Sequence, residues 1–262
     1  MPYLTVHERK LFYAQQRGPL HKPALLLLHG AGGSHLDWPA ALRRLPATAV
    51  YTLDLPGHGR SAVPGYNCIA DYANSTADFI TALPLSSVII AGHSMGGAIA
   101  LDLGLRRLPQ LAGLILIGSG ARLPVAPAIL DQALADFNAA TAFVVQHEWA
   151  ARIPDPIRQL SLQRLRQTPP AVLHGDFVAC NTFDVRHRLA EIALPTLIIG
   201  GAADKMAPLK FSQFMAEHIP NAQLVALPEA GHMMTLEQPT AVAAVVQDFL
   251  TNLKVNDAIE LT

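Results

Sequence analysis

Three residues far apart in the chain have the types that acyl transfer needs: Ser94, Asp204 and His232. A serine hydroxyl is a weak nucleophile at neutral pH. It needs a base, and an imidazole serving as that base needs a carboxylate to orient it and to balance the charge it acquires. Ser94 stands in Gly92-His93-Ser94-Met95-Gly96-Gly97, after the apolar run Val88–Ala91 and before a helix-forming stretch. Gly-x-Ser-x-Gly between strand and helix is the pattern of a nucleophile elbow: a strained turn pushes the hydroxyl out of the sheet, and small neighbours let strand and helix pass closely. Asp204 follows the run Thr196–Ile199, and His232 follows Leu224–Leu227. Those are the two strand-end loops where the order nucleophile, acid, histidine requires them.

The chain has 11 histidines, so position must choose among them. His174 and His187 fall where no strand end fixes them, and His93 reads as a packing or hydrogen-bonding residue whose side chain points away at the turn. Glu229 competes with Asp204 for the acid. Asp204 is preferred because its strand should lie nearer that of Ser94, while Leu114–Ile117 runs into Gly118-Ser119-Gly120 with no acid at all. A tetrahedral intermediate also needs two backbone N–H donors. Met95, after the nucleophile, supplies one, and Ala31, in the loop His29-Gly30-Ala31-Gly32-Gly33, supplies the other.

The elements that must position these groups are legible as short apolar runs. Ala24–Leu28, Ala49–Leu53, Val88–Ala91, Leu114–Ile117, Thr196–Ile199 and Leu224–Leu227 do not alternate, as expected of strands buried on both faces of a parallel sheet. Helices are expected over 66–83, 95–108, 208–218 and 238–253, the last with Val242, Val245, Val246, Phe249 and Leu250 on one face. The segment 3–16 reads as an edge hairpin turning at His7-Glu8-Arg9. Residues 122–192 contain no convincing strand and read as a helical insertion over the carboxyl edge of the sheet, where open α/β sheets bind ligands. Within it Leu130, Leu134, Phe137, Thr141 and Val144 keep the spacing of one amphipathic helix, and Pro154, Pro156, Pro169 and Pro170 bound two more.

Composition limits the function classes. With 51% hydrophobic and 15% charged residues and a net charge of −1, the chain can bury a large core and offers nothing for nucleic acid or an anionic membrane. Cys68 and Cys180 match no metal-ligand spacing and are expected to be reduced and buried, with no metal and no cofactor. The start of the chain lacks the pattern of a secretory signal, and no apolar run reaches the roughly 20 residues of a spanning helix. A cytoplasmic monomer or homodimer acting on a small molecule is expected.

His29-Gly-Ala-Gly-Gly33, Asp54-Leu-Pro-Gly-His-Gly-Arg-Ser61, Gly92-His-Ser-Met-Gly-Gly97, the Asp204 segment through Pro208, and Gly231-His232 with Glu237-Gln238-Pro239 resemble, in this order, the α/β-hydrolase superfamily, especially its capped carboxylesterases and lactonases. The resemblance covers nearly the whole chain apart from the insertion. It implies an α/β fold with a mostly parallel eight-stranded sheet flanked by helices. The core would be 1–121 and 193–262, and 122–192 a cap between strands 6 and 7. It also implies attack of Ser94 on a carbonyl, an acyl-enzyme, and a structural turn at 54–61 in which Asp54 has no catalytic role. Serine at the elbow argues against epoxide hydrolase and haloalkane dehalogenase chemistry, which needs Asp there. Carboxylesterase is the expected activity. Lactonase or enol-lactonase, thioesterase, carbon–carbon hydrolase and cofactor-free haloperoxidase share the triad, and a ligand receptor can keep the fold. Gly30, Gly32, Leu130, Phe137, Phe143 and Val144 are the candidate pocket, with Trp149 beside them; packing of the insertion onto the core is the alternative role of the cap residues among these. Arg152, Arg158, Arg164 and Arg166 read as solvated arginines or as holders of a substrate carboxylate.

Overall fold

A strand whose residues are apolar on both faces must be covered on both faces, and Ala24–Leu28 is: all five residues are buried. The computed structural model describes residues 3–19, 21–150 and 153–253. Within them eight strands, β1 (Tyr3–Val6), β2 (Arg9–Gln16), β3 (Ala24–Leu28), β4 (Val50–Leu53), β5 (Val88–His93), β6 (Leu111–Ile117), β7 (Thr196–Gly201) and β8 (Ala222–Leu227), form one sheet in the order β1-β2-β4-β3-β5-β6-β7-β8. Every pairing from β4 to β8 is parallel. The first two strands are an antiparallel hairpin whose turn residues His7 and Glu8 both have positive φ, 46° and 63°, the turn whose twist matches that of the strands. Among the described residues no helix is long and apolar enough to cross a membrane.

Among the described residues ten α-helices accompany the sheet: α1 (Ala40–Arg43), α2 (Ile69–Ala82), α3 (Met95–Leu105), α4 (Pro127–Ala135), α5 (Phe137–Glu148), α6 (Asp155–Leu165), α7 (Pro170–Thr182), α8 (Leu209–His218), α9 (Met234–Glu237) and α10 (Pro239–Asn252). The period-2 alternation of strand side chains sorts them into layers. Leu26, Leu28, Ile90 and Leu116 pack against Phe79, Ile99 and Met215 of α2, α3 and α8. Leu25, Leu27, Ile89 and Ile115 pack on the other side against Leu42, Val242, Val246 and Phe249 of α1 and α10. The chain leaves β3 for β4 on one side and returns for β5 on the other, so the loops after β3 and β5 open a crevice at the carboxyl edge.

Three expectations need correction. The amphipathic spacing from Leu130 to Val144 is not one helix: Asp136 (φ −143°, ψ 80°) ends α4 and caps α5, its carboxylate accepting from the Ala139 N–H at 3.0 Å, and Leu134 is left 59% exposed. A side chain that offers the backbone an alternative acceptor breaks a pattern that periodicity alone would continue. Leu224 is 36% exposed because β8 is an edge strand, covered less than the strands inside the sheet. Cys68, at the start of α2, is only half-buried; Cys180 is buried, and both are free thiols. A further short helical turn, Arg186–Glu191, follows α7 unforeseen. Met1, Pro2, Arg152 and positions 254–262 of the expected core lie outside the described residues.

Candidate active site

β5 ends in His93, and Ser94 then takes φ 53°, ψ −116° before α3 begins at Met95. A non-glycine residue held there costs on the order of 1–3 kcal/mol and persists only where its surroundings enforce it. They do: the Ser94 N–H donates to the Ile117 carbonyl at 2.9 Å, and the Ser94 carbonyl accepts from the Gly97 N–H and from the Ser119 hydroxyl at 2.8 Å. A Cβ on Gly92 would collide with the Gly96 carbonyl, and one on Gly96 with the Leu28 carbonyl, so the turn closes only over glycine.

The loop after β7 turns Asp204 back on itself. One carboxylate oxygen accepts from the Met206 and Ala207 N–H groups at 2.8 and 2.9 Å, while the other accepts from His232 Nδ1 at 2.9 Å. That bond fixes the His232 tautomer and leaves Nε2 without a proton to accept one. Burial would lower the His232 pKa, but the charge of Asp204 and its hydrogen bond outweigh this and hold it above the ordinary 6.5. The carbonyl of His232 accepts from His93 Nε2 at 2.9 Å, and the two rings lie 4.8 Å apart. His93 is thus a strut for the histidine loop, and burial followed by the charge of His232 pushes its pKa down to about 3. Glu229 is exposed, at the surface of that loop.

Ser94 and His232 line one cavity of about 250 Å³. No hydrogen bond joins their side chains among the described residues; such contacts are often long without substrate and tighten in the complex. Gly30, Ala31 and Gly32 form part of the same wall. Met95 occupies the first position of α3, where an N–H has no acceptor in its own helix.

Of the candidate pocket residues on the insertion, Val144 lines the cavity and the others do not. Leu130 and Phe137 are partly buried within the insertion's own cluster around Ala133, Val145 and Trp149. Phe143 is 42% exposed and stacks on His147, because α5 turns that face to solvent. Leu165, Phe177 and Met233 take their places. Arg164 lines the cavity, whereas Arg158 donates to the Ala150 carbonyl and Arg166 to Thr141 within the insertion.

Sequence reasoning gave no site role to the polar groups around the wall. Asp37 lies there half-buried, and loss of solvent raises its carboxyl to about 6 against the Ser34 N–H that it accepts. Glu148, whose carboxyl is raised by burial, accepts from the Ser161 hydroxyl, and Glu237 accepts from the Gly231 N–H at 2.9 Å. Asp54 accepts from the His35 and Arg60 N–H groups and fixes the turn 54–61. Asp54 and Glu237 lie in segments that carry the family resemblance; of the other two, only Asp37, in the capping spacing Ser34-x-x-Asp37, has a local signal.

The Alpha/beta hydrolase family model matches residues 25–245. The chain is 28% identical over 259 residues to 3-oxoadipate enol-lactonase 1 of Acinetobacter baylyi, an alignment covering 96% of this chain and 97% of that one. It is 28% identical over 254 residues to the pimeloyl-[acyl-carrier protein] methyl ester esterase of Aromatoleum aromaticum, covering 87% and 98%. The solved structure of a thermophilic esterase superposes with a TM-score of 0.85 at 29% identity, covering 96% of this chain and 97% of that one.

Proposed function

The chain belongs to the alpha/beta hydrolase family, and from that premise we propose that it hydrolyses small carboxylic esters through an acyl-enzyme on Ser94. The observation that carries the reading is the strained Ser94 turn opening into the same cavity as His232, whose far nitrogen Asp204 holds. In this reading the three residues are a catalytic triad. Nε2 of His232 takes the Ser94 proton as Oγ attacks the carbonyl carbon, and the carbonyl π pair moves onto oxygen. The N–H groups of Ala31 and Met95 form the oxyanion hole that stabilises that charge. Collapse expels the alcohol, which leaves with the proton from His232. Water then gives a proton to His232 and attacks the acyl carbon, and the second collapse releases the acid and returns the proton to Ser94.

The insertion 122–192 is in this reading a cap: Val144, Leu165 and Phe177 present apolar surface to the cavity, which supports a short apolar acyl or alcohol part. Likeness to the enol-lactonase across 96% of the chain supports lactones as a second substrate class, since a cyclic ester opens by the same steps. The test is steady-state turnover of p-nitrophenyl acetate and butyrate and of simple lactones. Sustained turnover is expected; a single stoichiometric burst with no further product would mark a ligand receptor instead.

A further inference from the structure

The loop that carries Ala31 is gripped from the insertion at both ends of one residue. Asp176, on α7, accepts the Gly32 N–H on Oδ2 at 2.8 Å, and Thr168, just before α7, donates its hydroxyl to the Gly32 carbonyl at 2.8 Å. Gly32 has φ +66°, and a Cβ there would collide with Leu165 and Leu173, so the insertion also shapes the loop sterically.

Asp176 is wholly buried, 144 residues from the group it holds, and its two further contacts explain how it is accommodated there. Oδ2 also meets His58 Nε2 at 2.7 Å, and Oδ1 accepts the Tyr72 hydroxyl at 2.7 Å. His58 Nδ1 faces the Pro56 carbonyl at 3.0 Å, so both ring nitrogens face acceptors and the ring is an imidazolium. Burial opposes that charge, but Asp176 outweighs it and the His58 pKa is raised. The neighbouring His29, 4.8 Å away ring to ring, is the complement: Nδ1 donates to the Gly30 carbonyl and Nε2 accepts the Leu55 N–H, which only a neutral ring can do. Burial, then the charge of His58, pushes its pKa down to about 4.

We propose that Asp176 and Thr168 are positioning residues that set the oxyanion loop 29–33 from the insertion, so that the covering segment decides the placement of the Ala31 N–H as well as the shape of the cavity. This rests on the reading of Ala31 as an oxyanion donor. A buried carboxylate needs only enough donors to offset its desolvation; spending one of them on a loop glycine of the opposite layer, with a hydroxyl answering at the same residue's carbonyl, fixes both peptide planes of Gly32.

The experiment compares Asp176→Ala, Asp176→Asn, Thr168→Val and Tyr72→Phe with the wild type by p-nitrophenyl butyrate kinetics and by hydrogen–deuterium exchange of peptides covering 29–34. Asp176→Ala is expected to lower kcat by about 10-fold to 10²-fold, up to the scale of a lost oxyanion donor, with KM within about threefold and faster exchange in 29–34. Thr168→Val should do the same more weakly, and Asp176→Asn should recover part of the loss by keeping one acceptor. Tyr72→Phe removes a donor to Oδ1 without touching the loop, so it should lower Tm and leave kcat and loop exchange unchanged. Should Asp176→Ala fail to fold, Thr168→Val and Asp176→Asn decide the matter alone. Wild-type kcat and loop exchange in these variants would overturn the proposal, as would a kcat loss in Tyr72→Phe equal to theirs at equal Tm. Absence of ester turnover in the wild type would sink the functional reading, while exchange still decides whether the insertion holds the loop.

Discussion

In the proposed mechanism Ser94 becomes a nucleophile only through the ring across the cavity, and one carboxylate sets that ring. If Asp204 fixes the tautomer, Asp204→Asn should lower kcat by on the order of 10⁴, as when the wrong nitrogen carries the proton. Ser94→Ala should abolish turnover, and Glu229→Gln, at an exposed position, should behave as wild type. Steady-state hydrolysis of p-nitrophenyl butyrate reads all three; loss in Glu229→Gln with full activity in Asp204→Asn would reverse the assignment of the acid. The pH dependence carries its own sign. As the proposed base His232 must be neutral to take the serine proton, and its pKa is raised above 6.5, so kcat/KM should rise with pH to a midpoint above that value. The residual activity of Asp204→Asn should show the midpoint moved down.

At the scale of elements, the elbow is a crossing of strand and helix so close that no side chain fits between them. Gly92→Ala should therefore fail by misfolding and not by slow chemistry: its methyl would stand against the Gly96 carbonyl, which cannot yield without moving α3. Low soluble yield, or a Tm well below wild type with loss of Ser94 labelling by a fluorophosphonate, is expected; a stable variant with normal labelling would show that the crossing can relax. The insertion behaves differently because its helices are held by their own cluster and by polar links to the loops after β3 and β8. Glu148 illustrates this: its carbonyl accepts the Met233 N–H at 3.0 Å, beside the histidine loop.

Across the whole molecule, stability should fall in acid because buried histidines must gain a charge. His29 and His93 are held down to about 4 and 3, so between those values and 6.5 the unfolded chain binds more protons than the native one and stability rises with pH. For His29 alone the full difference is worth about 3 kcal/mol. Asp37, raised from 3.8 to about 6, works in the opposite sense over part of this window but by less, and the raised pKa of His58 stabilises below 6.5, its contribution fading only as pH rises through the folded value. Thermal melts from pH 7 to 4.5 should show a falling Tm, and a flat profile would contradict the burial of neutral imidazoles. What the sequence alone determined was whatever local pattern encodes. The elbow around Ser94, the strand ends before Asp204 and His232, and the hairpin at His7-Glu8 each follow from neighbours within about ten residues, where sterics and periodicity act. The tertiary structure alone decided the rest: which face of α5 meets the cavity, so that Val144 lines it and Phe143 does not, and which edge leaves Leu224 exposed. It also paired Asp176 with His58 across 118 residues. A buried charge leaves no periodic trace in the chain; its partners are chosen by desolvation, which exists only once the layers have closed.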